Sequence, residues 1–150
     1  MRALFFLLAC VLSSTTMAAR PYDESADAKA DLRAALRTTD GLPVLVIFGA
    51  NWCEDCRALA RTMDASPLAN LLADTFHVVK VDVGNFDKNL DIAATYGNPV
   101  KKGIPAAALL SADGKLVYAT YAGELADARR MSEAGISEFF RQLAGKAATR

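Results

Sequence analysis

Cys53 and Cys56 stand with two residues between them in Trp52-Cys53-Glu54-Asp55-Cys56, directly after a continuously apolar run, residues 43–49. A short β-branched run followed at once by Cys-x-x-Cys reads as a buried strand handing two sulfurs to the start of a helix. In that first turn, free backbone N–H groups and the positive end of the helix dipole favour a thiolate over a thiol, so Cys53 is the expected nucleophile. Leu59, Ala60 and Met63 follow Cys56 at helical spacing, which puts Cys56 on the core-facing stripe as the resolving thiol. An exposed thiolate attacks a substrate disulfide, and a second thiol held nearby resolves the mixed disulfide before it stalls.

Two other uses of the pair compete. A structural disulfide normally closes a long loop, and one closing only a few residues stabilises little. Half of a zinc site needs two more ligands. The third cysteine, Cys10, lies in an N-terminal leader, and the single histidine, His77, falls on a predicted strand as a partly exposed residue. No metal site is expected. Trp52 is either core or a lid over the sulfur, and its place beside Cys53 favours the lid.

Around the pair, the chain is 150 residues long, 53% hydrophobic and 23% charged, one domain's worth of globular composition. Seventeen basic residues balance seventeen acidic ones, so no summed positive field exists to hold nucleic acid. Arg2 followed by the apolar residues 3–12 and the small residues 13–19 reads as a secretory signal peptide, with cleavage preferred after Ala18 and Ala19 as the next choice. That divides the chain into a leader, 1–18, and a mature domain, 19–150. The leader's apolar run is too short for a permanent membrane anchor, and tethering through a lipidated Cys10 is disfavoured by the short stretch before it.

The mature chain predicts a helix over 22–39, a central strand at 43–49, a helix over 53–63, and a second helix capped by Ser66 with Pro67 in its first position. A strand at 76–83, a helix at 86–96 stopped by Gly97, a hairpin of 106–110 and 116–121 about Asp113-Gly114, and a final helix capped by Ser132 complete it. This order calls for an α/β fold, a mixed sheet with helices on both faces.

At this point the sequence resembles the thioredoxin family, and within it the exported single-domain members that act on thiols in the bacterial cell envelope. The resemblance runs over roughly residues 42–121 and rests on residues 44–56, Lys80-Val81-Asp82-Val83, Gly103-Ile104-Pro105 and the Asp113-Gly114 hairpin. It implies a thioredoxin-like fold and thiol-disulfide oxidoreductase activity, with no cofactor beyond the two cysteines. It also implies that the Ile104–Pro105 bond is cis, that Pro105 packs against the disulfide, and that the backbone of Ile104 pairs with substrate like an added strand. One departure stands out: Ile47 occupies the place of a buried Asp that serves the resolving cysteine in thioredoxins, which leaves Lys80 without its usual counter-ion. Proton transfer from Cys56 then goes through water, Glu54 or Asp55, or is slower.

Glu54 and Asp55 replace the Gly-Pro of cytosolic thioredoxins. Two negative charges beside Cys53 raise its pKa and destabilise the reduced form, at about 30 mV per pKa unit. The sign favours a reductant, nearer the thioredoxin value of about −270 mV than the roughly −120 mV of a strong oxidase, unless Lys101-Lys102 offset the charges. The expected protein is therefore a monomeric periplasmic reductase of disulfide-containing proteins, fed by a membrane thiol donor because the compartment is kept oxidising. A thiol oxidase or isomerase, and a non-catalytic binding module on the same fold, are the alternatives.

Overall fold

The computed structural model describes residues 20–38 and 40–149, so the leader, with Cys10 and both cleavage sites, lies outside the described residues. Among those residues the chain forms five α-helices and a four-stranded sheet of order β2-β1-β3-β4. No helix among them is long and apolar enough to cross a membrane.

Strand β1 (Val44–Gly49) is buried along its whole length, as a central strand covered on both faces must be. It pairs in parallel with β2 (His77–Asp82) and antiparallel with β3 (Ala106–Leu110), which turns back into β4 (Leu116–Ala119). Its alternation divides the core. Val44, Val46 and Phe48 face α1 (Ala28–Leu36) and α4 (Leu90–Thr95), whereas Leu45 and Ile47 face α2 (Glu54–Met63), α3 (Leu68–Thr75) and α5 (Glu133–Ala148). The mixed sheet with helices on both faces is therefore present.

Several boundaries differ from expectation. Helix α1 begins only at Ala28, because Asp23 takes the N–H and hydroxyl of Ser25 in a local turn and Asp27 caps Ala30 N–H at 2.9 Å. Tyr22, outside the helix, is buried in the core. Ser66 does not cap α3. The chain is already turning at Ala65, whose carbonyl accepts from Ala69 N–H at 3.0 Å, so Pro67 itself becomes the flanking residue and the Ser66–Pro67 bond is cis.

The helix expected at 86–96 shrinks to Leu90–Thr95, since Phe86 (φ 61°) and Asn89 (φ 53°) adopt left-handed backbone that cannot continue a right-handed helix. A 3-10 turn, Pro99–Lys102, was not legible in the sequence. Strand β4 stops before Tyr121 because the Glu124 carboxylate collects the N–H groups of Tyr121 and Ala122 into a turn. The hairpin about Asp113-Gly114 forms, with Gly114 at φ 82°, and Ser132 caps α5 by accepting from Gly135 N–H at 3.0 Å.

Candidate active site

At the carboxyl end of β1 the chain leaves the sheet and enters α2, and a disulfide joins Cys53 to Cys56 there, with Cα atoms 5.2 Å apart. Cys53 is the N-cap of α2 rather than a first-turn residue: its Sγ accepts from Cys56 N–H at 3.1 Å. One of the orphan donors at the helix start is thus already aimed at the sulfur. Cys56 is fully buried. Cys53 is only 6% exposed, which corrects the expectation of a sulfur standing clear at the helix tip. Ile104 backs it, with the Ile104 carbonyl oxygen 3.6 Å from Cys53 Sγ.

The opening to Cys53 is a cleft of about 440 Å³ lined by Trp52, Glu54, Asp55, Phe86, Ile104 and Arg129. The Ile104–Pro105 bond beside it is cis and both residues are buried. Trp52 is not core. It is 53% exposed, donates from Nε1 to Gly84 O at 2.8 Å, and packs edge-on against Phe86 with ring centroids 6.2 Å apart, so it forms a wall of the cleft.

The two acids do not stand as free charges. Arg129 bonds Glu54 Oε2 through Nη1, lies with Nε 3.6 Å from Asp55 Oδ1, and donates its backbone N–H to that same oxygen at 3.0 Å. One guanidinium therefore offsets part of the negative field at Cys53, whereas Lys101 and Lys102, exposed on the 3-10 turn, are not among the cleft-lining residues. Arg129 carried no local signal: it is 74 residues from Asp55 in the chain.

The loop before Cys53 is clamped from the N-terminal segment. Asn51 accepts from Tyr22 N–H at 3.0 Å and donates to Tyr22 O at 2.8 Å, while Arg57 donates to Asn51 O at 2.6 Å. The Tyr22 phenol fills the space a side chain would need at position 49, where an added Cβ would collide with its Oη and Cζ, so β1 must end in glycine. Burial, and the negative charge of Asp82, push the Tyr22 phenol pKa well up. Asp82 is itself 5% exposed; among the described residues its Oδ2 has no hydrogen-bond partner, and it lies 3.7 Å from Lys88 Nζ.

Ile47 sits in the apolar layer with Leu59 and Met63. Lys80 is not without a counter-ion, since Asp64 at the end of α2 approaches its Nζ at 3.6 Å. His77 is half-buried at the start of β2, with Nε2 2.9 Å from both Asp40 carboxylate oxygens, and takes no part in the cleft. Among the described residues no group of three or more His, Cys, Asp or Glu side chains is arranged to hold a metal.

Comparison with known proteins places this geometry. A family model described as thioredoxin-like matches residues 22–112. The thioredoxin of Griffithsia pacifica is 47% identical over 55 residues, 37% of this chain and 46% of its own. Thioredoxin 1 of Synechococcus elongatus is 43% identical over 56 residues, again 37% of this chain and 48% of its own. The chain spans about half the length of these relatives. The crystal structure of a disulphide isomerase from Xylella fastidiosa Temecula1 superposes with a TM-score of 0.81 at 48% identity, covering 82% of this chain and 95% of that one.

Proposed function

Since the chain belongs to the thioredoxin-like family, we propose that it is an exported thiol-disulfide oxidoreductase whose Cys53/Cys56 dithiol reduces disulfides of exported proteins. The observation that carries this reading is the Cys53–Cys56 disulfide at the N-cap of α2, with Cys56 N–H directed at Cys53 Sγ and Cys53 in the lining of a cleft.

In the reduced protein the Cys53 thiolate attacks one sulfur of a substrate disulfide. A mixed disulfide forms and the other substrate sulfur leaves as a thiolate, which takes a proton from solvent. The Cys56 thiol, sealed behind Cys53, gives up its proton and attacks Cys53 Sγ, which releases the second substrate thiolate and restores the intramolecular disulfide. Two electrons pass from the dithiol to the substrate. An external thiol donor must return them, which in an oxidising compartment calls for a membrane partner. The chain acts as a monomer, and the Ile104 edge supports the substrate backbone.

The exported location rests on the leader sequence and the reductive direction on Glu54 and Asp55, whose effect Arg129 reduces without reversing, because two carboxylates face one guanidinium. A second reading, oxidase or isomerase, is favoured by the description of the solved relative as a disulphide isomerase. A glutathione titration separates the two: a potential above roughly −180 mV, the region of protein disulfide isomerase, assigns the protein to the second class. Cys53→Ser abolishes insulin-disulfide reduction if the protein is a catalyst, whereas a binding module keeps its partner. Cys56→Ala is expected to trap covalent adducts through Cys53, identifiable by mass spectrometry of cell envelopes.

A further inference from the structure

Phe86 is a bulky residue in left-handed backbone, at φ 61°, a conformation that Asn or Gly adopts with far less strain. The turn that holds it is closed by the Asp87 carboxylate on Asn85 N–H at 2.9 Å and by Val83 O on Asp87 N–H at 3.1 Å. Neither bond requires an aromatic side chain at position 86. The ring is 43% exposed, belongs to neither buried core cluster, and packs edge-on against Trp52. Phe86 nevertheless lines the same cleft as Cys53 and Ile104, and Trp52 is anchored to the first residue of this turn, Gly84. Strain kept at an exposed ring beside a reactive sulfur points to a use for that ring.

We propose that Phe86, with Trp52, forms a specificity-determining subsite that receives an apolar or aromatic side chain next to the cysteine being attacked in a polypeptide disulfide. The inference rests on the oxidoreductase reading and adds its substrate preference. The cleft lining is asymmetric: Trp52 and Phe86 contribute aromatic surface, whereas Glu54, Asp55 and Arg129 contribute charge. A flanking aromatic residue gains ring contact and apolar burial on the first part, which a flanking serine or glycine cannot. The ring acts on binding before sulfur transfer and leaves the exchange chemistry to Cys53 and Cys56.

The test compares two disulfide-bonded peptides identical except for Phe or Ser beside the attacked cysteine, with hydroxyethyl disulfide as a substrate that carries no flanking side chain. Reduced wild-type protein is expected to prefer the phenylalanyl peptide in kcat/KM by roughly five- to tenfold. Phe86→Asn, which suits the left-handed backbone, brings the ratio to about one, while Phe86→Tyr retains the preference; the ratio is read within each variant, so a general change in turnover cancels. A wild-type ratio near one, or a ratio kept in Phe86→Asn, overturns the subsite while turnover of hydroxyethyl disulfide leaves the oxidoreductase reading standing. Failure to reduce either peptide or hydroxyethyl disulfide overturns that reading and the subsite with it.

Discussion

Replacing Arg129 by methionine keeps the apolar stem and removes the charge that Glu54 and Asp55 share. Loss of a cation beside the cleft leaves the Cys53 thiolate facing both carboxylates. Its pKa rises, the reduced form is destabilised, and the potential becomes more negative. The magnitude follows from exposure: the Arg129 and Glu54 side chains are 53% and 62% exposed, so solvent screens the guanidinium, and its effect at the sulfur is bounded by that of an exposed ion pair, about 0.2–1 kcal/mol. With about 1.4 kcal/mol per 30 mV for a two-electron couple, the shift is roughly 5–20 mV. Trp52, the single tryptophan, is half-exposed and adjacent to Cys53, so its fluorescence is the expected readout of the redox state during equilibration with glutathione. The shift should shrink in about 1 M salt, where the Debye length is near 3 Å. A move toward positive potential, or a change well above 30 mV that salt does not reduce, refutes the electrostatic account.

Gly49→Ala should lose about 1–3 kcal/mol of stability, because the new methyl overlaps the Tyr22 phenol. In the Gly49→Ala, Tyr22→Ala double variant that methyl enters the space the ring vacates, so the two losses, measured by urea unfolding, should sum to clearly more than the loss of the double variant. Ser132→Ala removes the Oγ acceptor of Gly135 N–H and should lower stability by about 1 kcal/mol, with Ser132→Asp close to wild type in the same assay. The carboxyl of Asp113, lowered to about 2 by Lys115 and Ser111 in the hairpin turn, contributes stability that is complete above pH ~4 and lost as pH falls toward 2. Carboxyl carbon NMR should show that midpoint, and Asp113→Asn should remove this part of the acid dependence.

The sheet and its covering helices were legible because their signals are local. The apolar run ending at Gly49, the Asp113-Gly114 turn and the Ser132 cap each act within a few residues, and each formed where its chemistry pointed. Errors arose where a side chain found a better local partner than the regular element offered. Asp23 closed a turn on Ser25 and shortened α1; Glu124 captured two N–H groups and ended β4. Phe86 carries no sequence mark of its left-handed backbone, so the helix expected from 86 onward begins four residues later.

The site divides along the same line. Its sulfurs are three residues apart, and their cysteine chemistry is written in that spacing. The groups that set how the pair behaves come from far away: Gly84 anchors Trp52 across 32 residues, Ile104 backs Cys53 across 51, and Arg129 meets Asp55 across 74. Glu54-Asp55 read alone omits the offsetting guanidinium, which arrives only when the 3-10 turn after Leu125 packs on α2. The same dependence makes the dipeptide between the cysteines an incomplete determinant of potential. Moved into a fold without Arg129, Glu54-Asp55 should hold the couple more reducing than it does here, by the margin expected for Arg129→Met.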